Sequence, residues 1–294
     1  MNYSRMTPTL LFIMGLLCLY LSGGCSSEFL YNRVDRLAQF YIERYVDLDR
    51  DQSHSLKINL EQLKEWHRRN ELSEYQGFLH QIEMDIQGDI TPETISGWMS
   101  SARTAYVRIR DQAVPALIDV AATLTPGQIE KFSARLEKRN RKLEKEYLSR
   151  DEAAYREYIV EEMDDRLSYW LGNLTDSQEQ RLVQTADRIE RLDARWLAGR
   201  RSWQRRVINE LERKQGWKDR LKALIMDRTE YTDQEDIEAN HRNEQRIYAA
   251  VADVLNMRTD KQQQKLLKKL QKWEGNLASL LDTDKQPQKA EKGI

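Results

Sequence analysis

Leu124-Thr125-Pro126-Gly127-Gln128 is the stretch on which the reading of this sequence turns, because it returns as Leu174-Thr175-Asp176-Ser177-Gln178. Each copy opens a long charged segment. A Thr at the N-cap accepts a hydrogen bond from the N3 amide, and a Gln at N3 reaches back to the N-cap amide, so the pair satisfies two orphan donors of a helix start. Pro126 falls at N1, where a missing N–H is harmless. Leu124 and Ile129 fall at N′ and N4, the two ends of a hydrophobic staple. Variants stand at Leu48-Asp49-Arg50-Asp51-Gln52, Leu72-Ser73-Glu74-Tyr75-Gln76, Ile90-Thr91-Pro92-Glu93, Tyr231-Thr232-Asp233-Gln234-Glu235 and Thr259-Asp260-Lys261-Gln262. Their uneven spacing argues against a solenoid of fixed repeat. It fits antiparallel helices with short connections.

The 294 residues are 32% charged and 40% hydrophobic, with 12 Gly and 5 Pro, a balance that favours helix over strand. Apolar residues recur at steps of three and four between the starts. The spacing predicts a helix over 29–45 and another from Asp49 through Leu56, Leu60, Leu63 and Trp66. A further helix runs from Thr91 towards Leu117, with a kink or break at Pro115. From Leu124 the pattern runs on to Trp170, and one continuous helix there would measure roughly 65–70 Å at ~1.5 Å per residue, with a bend at Asp151-Glu152. From Leu174 it continues to Leu211 until Gly216 interrupts it. The expected fold is all-α, an elongated bundle or cradle of long antiparallel helices. The helical domain covers 25–281, with a sub-boundary near 123, and a Lys-rich disordered tail covers 282–294.

Residues 1–24 read as a targeting segment. Arg5 is its positive charge, and residues 10–20 form an apolar run too short to span a membrane. The run ends in Leu21-Ser22-Gly23-Gly24-Cys25, which resembles a bacterial lipobox with its Leu displaced by one position. The resemblance implies cleavage before Cys25, acylation of its thiol and attachment to a membrane through lipid. Ser26 and Ser27, with no Asp after the Cys, imply the outer membrane, facing the periplasm. The only other cysteine, Cys18, lies inside the apolar run, so no disulfide is available to the mature chain. Cleavage removes Arg5 alone among the charges, taking 47 basic and 48 acidic residues to 46 and 48, a net of −2.

The two strongest boxes, Leu124-Thr125-x-x-Gln128 and Leu174-Thr175-x-x-Gln178, resemble the LTxxQ motif of Spy-like periplasmic chaperones. That resemblance implies a helical cradle, usually a homodimer, which binds non-native proteins without ATP. This chain departs from the family in being much longer and in lacking its net positive charge. Cys25-Ser26-Ser27, Tyr31-Asn32-Arg33-Val34-Asp35 and Tyr45-Val46-Asp47-Leu48 also resemble an uncharacterised family of bacterial lipoproteins over nearly the whole mature chain. That resemblance implies localisation and no activity.

No nucleophile elbow, phosphate loop or metal box stands in the sequence, so neither an enzyme nor a cofactor is expected. His54, His67 and His80 are spaced by thirteen residues, which does not stack ligands as i, i+4 pairs do; they read, with His241, as surface histidines, and no metal site is expected. The acidic pairs Glu161-Glu162 and Asp164-Asp165 read as a solvated face. Trp196, Trp203 and Trp217 are interleaved with Arg200, Arg201, Arg205, Arg206, Arg213 and Lys214. Three readings stay open for this stripe: core tryptophans with a solvated Arg rim, a protein-binding surface built on Trp196, Arg200, Trp203, Arg206 and Trp217, or contact with anionic lipid or polysaccharide. Near-neutral charge and export argue against nucleic acid. The function expected is non-catalytic: a chaperone or stress adaptor for unfolded or assembling proteins, or else a structural lipoprotein with one folded partner.

Overall fold

The computed structural model describes residues 24–227 and 233–282, and among them the fold is all-α, with twelve helices and no strand. In chain order these are α1 (Gly24–Tyr31), α2 (Val34–Glu43), α3 (Arg50–Asn70), α4 (Leu72–Asp85), α5 (Pro92–Thr123) and α6 (Pro126–Tyr147). Then follow α7 (Glu152–Leu171), α8 (Asp176–Ala186), α9 (Asp193–Glu210), α10 (Trp217–Met226), α11 (Gln234–Asn256) and α12 (Asp260–Asp282). The targeting segment and the tail beyond Asp282 lie outside the described residues, as do Tyr231 and Thr232. The side chain of Cys25, in the first turn of α1, lies outside them too.

Several helix boundaries correct the sequence expectations. The expected continuous helix from Leu124 to Trp170 is two helices. Asp151 does not bend the first but caps the second, its Oδ1 accepting from the Ala154 amide at 2.8 Å. The pattern from Leu174 to Leu211 likewise divides at residues 187–192 into α8 and α9. The helix over 29–45 is interrupted at Asn32 and Arg33, between α1 and α2. Pro115 neither breaks nor ends α5, which runs unbroken from Pro92 to Thr123. Its ring is exposed, so water can reach the carbonyl it deprives of a donor, while Val114 and Ile118 beside it are buried and hold the helix in place. The box expected at Leu72 is absent. Only Glu71 separates α3 from α4, and its side chain makes no cap bond. At α11 the N-cap is Asp233, which also makes none.

Two apolar clusters lie inside this framework. The larger is built from Tyr31 of α1, Leu72 and Leu79 of α4, Ile95 of α5, Leu167 and Leu171 of α7, Leu182 of α8, Tyr248 and Val254 of α11, and Leu266, Leu270, Trp273 and Leu277 of α12. The smaller joins Val114, Ile118 and Ala121 of α5 to Leu211 and to Leu221 of α10, with Ile129 and Phe132 of α6 packed against it. Residues on both sides of position 123 therefore share one cluster. The 32 residues of α5 span roughly 48 Å at ~1.5 Å per residue, so one rigid rod contributes to both clusters.

Candidate functional site

The capping boxes do more than start helices, because their glutamines meet in pairs. Thr175 Oγ1 accepts from the Gln178 amide at 3.4 Å while Gln178 Oε1 accepts from the Thr175 amide at 2.9 Å. Thr259 and Gln262 repeat this at 3.3 and 3.0 Å. The two Gln side chains then face each other: Gln178 Nε2 donates to Gln262 Oε1 at 3.1 Å, and Gln262 Nε2 donates back to Gln178 Oε1 at 2.9 Å. Each amide spends its second N–H on the backbone leading to the other box, Gln178 on the Val254 carbonyl at 3.1 Å and Gln262 on the Asn173 carbonyl at 2.9 Å. Both donors and both acceptor sites of each amide are thus used, which is what burial of a glutamine requires. Gln178 is 0% exposed and Gln262 4%.

The same clasp is built a second time. Gln128 caps with Thr125 and Gln52 caps with Asp49. Gln128 Nε2 donates to Gln52 Oε1 at 2.7 Å and to the Asp47 carbonyl at 2.6 Å. Gln52 Nε2 donates to Gln128 Oε1 at 3.3 Å and to the Thr123 carbonyl at 2.8 Å. This clasp sits nearer the surface: Gln128 is half-buried, Thr125 is exposed, and Lys131 and Arg135 pair with the Asp47 carboxylate at its edge. Those two cations hold the Asp47 carboxyl below its ordinary range, Arg135 contributing most. Leu124 and Leu174, the apolar residues ahead of the caps, are both buried. The two clasps join helices whose glutamines are 76 and 84 residues apart in the chain. Sequence analysis identified Leu124, Thr125, Gln128, Leu174, Thr175 and Gln178 and passed over Gln52 and Gln262 as partners. The readable signal was the shared box at Asp49 and Thr259.

The Trp and Arg residues of the expected binding stripe do not form one open face. Trp196 packs edge-on against Tyr147 of α6, ring centroids 6.0 Å apart, with the Arg200 guanidinium over its ring at 5.8 Å. Arg200 is buried and donates to Asn140 Oδ1 at 2.9 Å, and Asn140 in turn donates to Gln204 at 2.6 Å. Arg201 is held between Glu137 and Glu144 of α6 at 3.0 and 2.8 Å. These contacts raise the guanidinium pKa and lower those of both carboxyls. Trp203 donates its indole N–H to the Leu224 carbonyl at 2.8 Å, and Trp217 packs on the smaller cluster. Arg206 is exposed.

The histidines also divide. His67 is buried, not on the surface as expected, because Tyr31 and Tyr75 enclose it: Nδ1 lies 2.9 Å from the Tyr31 hydroxyl and Nε2 3.1 Å from that of Tyr75. Burial drives its pKa down to about 4 and raises that of Tyr75. Glu71, also buried beside this group, accepts from Nε and Nη2 of Arg108, each at 2.7 Å. His80 lies on the exposed side of α4. The outer face of α3 carries a shallow groove lined by Ile58 and Trp66 between Glu61, Glu65 and Arg69. A second, between α6 and α9, is lined by Ile129, Ala134 and Ile208 with Glu137 and Arg141 at its rim.

Residues 44–236 match a family described as a family of unknown function, DUF6279. The chain belongs to that family. The match covers the first clasp, the Gln178 half of the second and the whole Trp–Arg stripe; α12, which carries Gln262, lies beyond it. No curated protein and no solved structure matches the chain.

Proposed function

We propose that this protein is a non-catalytic lipoprotein of the bacterial envelope, anchored through acylated Cys25 to the outer membrane, which holds one folded protein partner in the periplasm. The observation that carries this reading over a general client binder is the inward placement of Trp196, Arg200, Trp203 and Trp217. Residues suited to gripping unfolded chains instead bond to the protein's own helices. With these residues engaged, the outer faces offer shallow apolar grooves edged by charge, such as that at Ile58 and Trp66, which suit a preformed surface better than a collapsing chain.

Two experiments test it. A photo-crosslinking residue at Ile58 in growing cells is expected to trap one discrete partner band, and a smear of many species overturns the single-partner reading. Labelling with radioactive palmitate is expected to mark the wild type and not Cys25→Ser; equal labelling of both overturns the anchor. The second reading, a Spy-like ATP-independent chaperone or stress adaptor, rests on the LTxxQ-type boxes. It requires the purified protein to suppress aggregation of several chemically unfolded clients at near-stoichiometric ratio.

A further inference from the structure

We propose that His80, Glu83 and Glu274 form a binding site for a divalent transition-metal ion of the zinc class, placed where α4 meets α12. One ligand atom from each of the three lies within 4.8 Å of the other two. His80 and Glu83 are three residues apart on α4, so one face of that helix presents both, and the His80 Nδ1 stands 4.0 Å from the Glu83 carboxylate. Glu274 arrives from α12, the neighbour against which α4 packs. No linear motif reveals this group, because its third member comes from the far end of the chain.

Charge gives a second, independent reason. Glu137 and Glu144 share Arg201, and Glu190 is met by Arg242 and Arg246. Among the described residues neither Glu83 nor Glu274 has a Lys or Arg partner within 4.0 Å, and both are half-buried. Two carboxylates brought this close repel each other, and a bound cation turns that repulsion into attraction. The donor set names the class of ion. Imidazole with two carboxylates suits zinc and its first-row neighbours. Calcium and magnesium favour all-oxygen shells. Metal–ligand bonds of about 2.0–2.2 Å place tetrahedral ligand atoms about 3.5 Å apart. The rotatable Glu side chains at the solvent edge can close that difference without moving either helix. Three protein ligands leave positions for water, and an occupied site ties α4 to α12.

The test uses the whole mature chain, titrated calorimetrically with ZnCl2, with thermal unfolding followed in parallel. One zinc is expected to bind per chain with a Kd of about 1–10 μM and to raise Tm, since an ion that binds only the folded state stabilises it. His80→Ala and Glu274→Gln are each expected to weaken binding at least about tenfold while leaving the metal-free Tm unchanged, and His241→Ala is expected to leave binding as it was. No 1:1 binding below about 100 μM overturns the proposal. So does zinc binding that survives the double substitution His80→Ala, Glu274→Gln. Calcium or magnesium binding as tight as zinc overturns the assignment of the ion.

Discussion

The two glutamine clasps use the same residues for the same bonds and differ mainly in how much water reaches them. In the clasp of Gln178 and Gln262 both amides are buried beside Val254 and the larger apolar cluster. In the clasp of Gln52 and Gln128 one amide is half-buried and its threonine cap is open to solvent. A hydrogen bond adds about 0.5–1.5 kcal/mol net, but a buried donor or acceptor left without a partner costs about 1–3 kcal/mol. The pair teaches that an identical motif can be a convenience at the surface and a requirement inside.

The largest expected effect follows from that. Gln178→Glu removes both donors of a fully buried amide and puts a second carboxylate oxygen where the Val254 carbonyl and the Gln262 Oε1 face it. A loss of about 3–5 kcal/mol is expected in urea unfolding. The matching change at the outer clasp, Gln128→Glu, is expected to cost about 1 kcal/mol, since water can serve the groups it abandons. Equal losses at both positions would break the comparison. A double-mutant cycle on Gln178 and Gln262 sharpens it: with both truncated to Ala, the loss is expected to fall short of the sum of the singles, because each single change strands the other amide.

Acid probes a different region. His67 stands beside Tyr31 of the larger cluster and is held neutral by burial. Its pKa drops from 6.5 in the unfolded chain to about 4 in the folded one, so between those values the unfolded chain binds the extra proton. Stability from this group is whole above pH 6.5 and falls as the pH drops towards 4. A loss of about 2 kcal/mol is expected between pH 7.5 and pH 5, and His67→Phe is expected to remove that part of the pH dependence. The smallest effect expected is that of Thr125→Ala, about 0.5–1 kcal/mol, which loses one exposed cap. Thermal unfolding of this variant and of Thr175→Ala should rank the second as the more damaging.

The sequence shows where helices begin far better than where they end or what they meet. The starts of α3, α6, α8 and α12 could be read from Asp49, Thr125, Thr175 and Thr259, because a cap is local chemistry within four residues. The breaks at residues 148–151 and 187–192 were missed because apolar residues continue at helical steps on both sides of them. The pairing of Gln178 with Gln262 was not legible, since nothing in a capping box says which distant box it joins. Three tryptophans among arginines suggested an interface, and only the structure shows Arg200 bonded to Asn140 and Trp203 to a carbonyl of α10.

The position of α12 at the end of the described chain bears on how this protein is made. Synthesis delivers the chain from its N-terminus, and the outer clasp has both its halves once Gln128 has emerged. The inner clasp must wait for Gln262, and Leu79, Leu171 and Leu182 wait with it for the leucines of α12. During that interval a large apolar surface stands open, and the last of the described helices is the one that closes it.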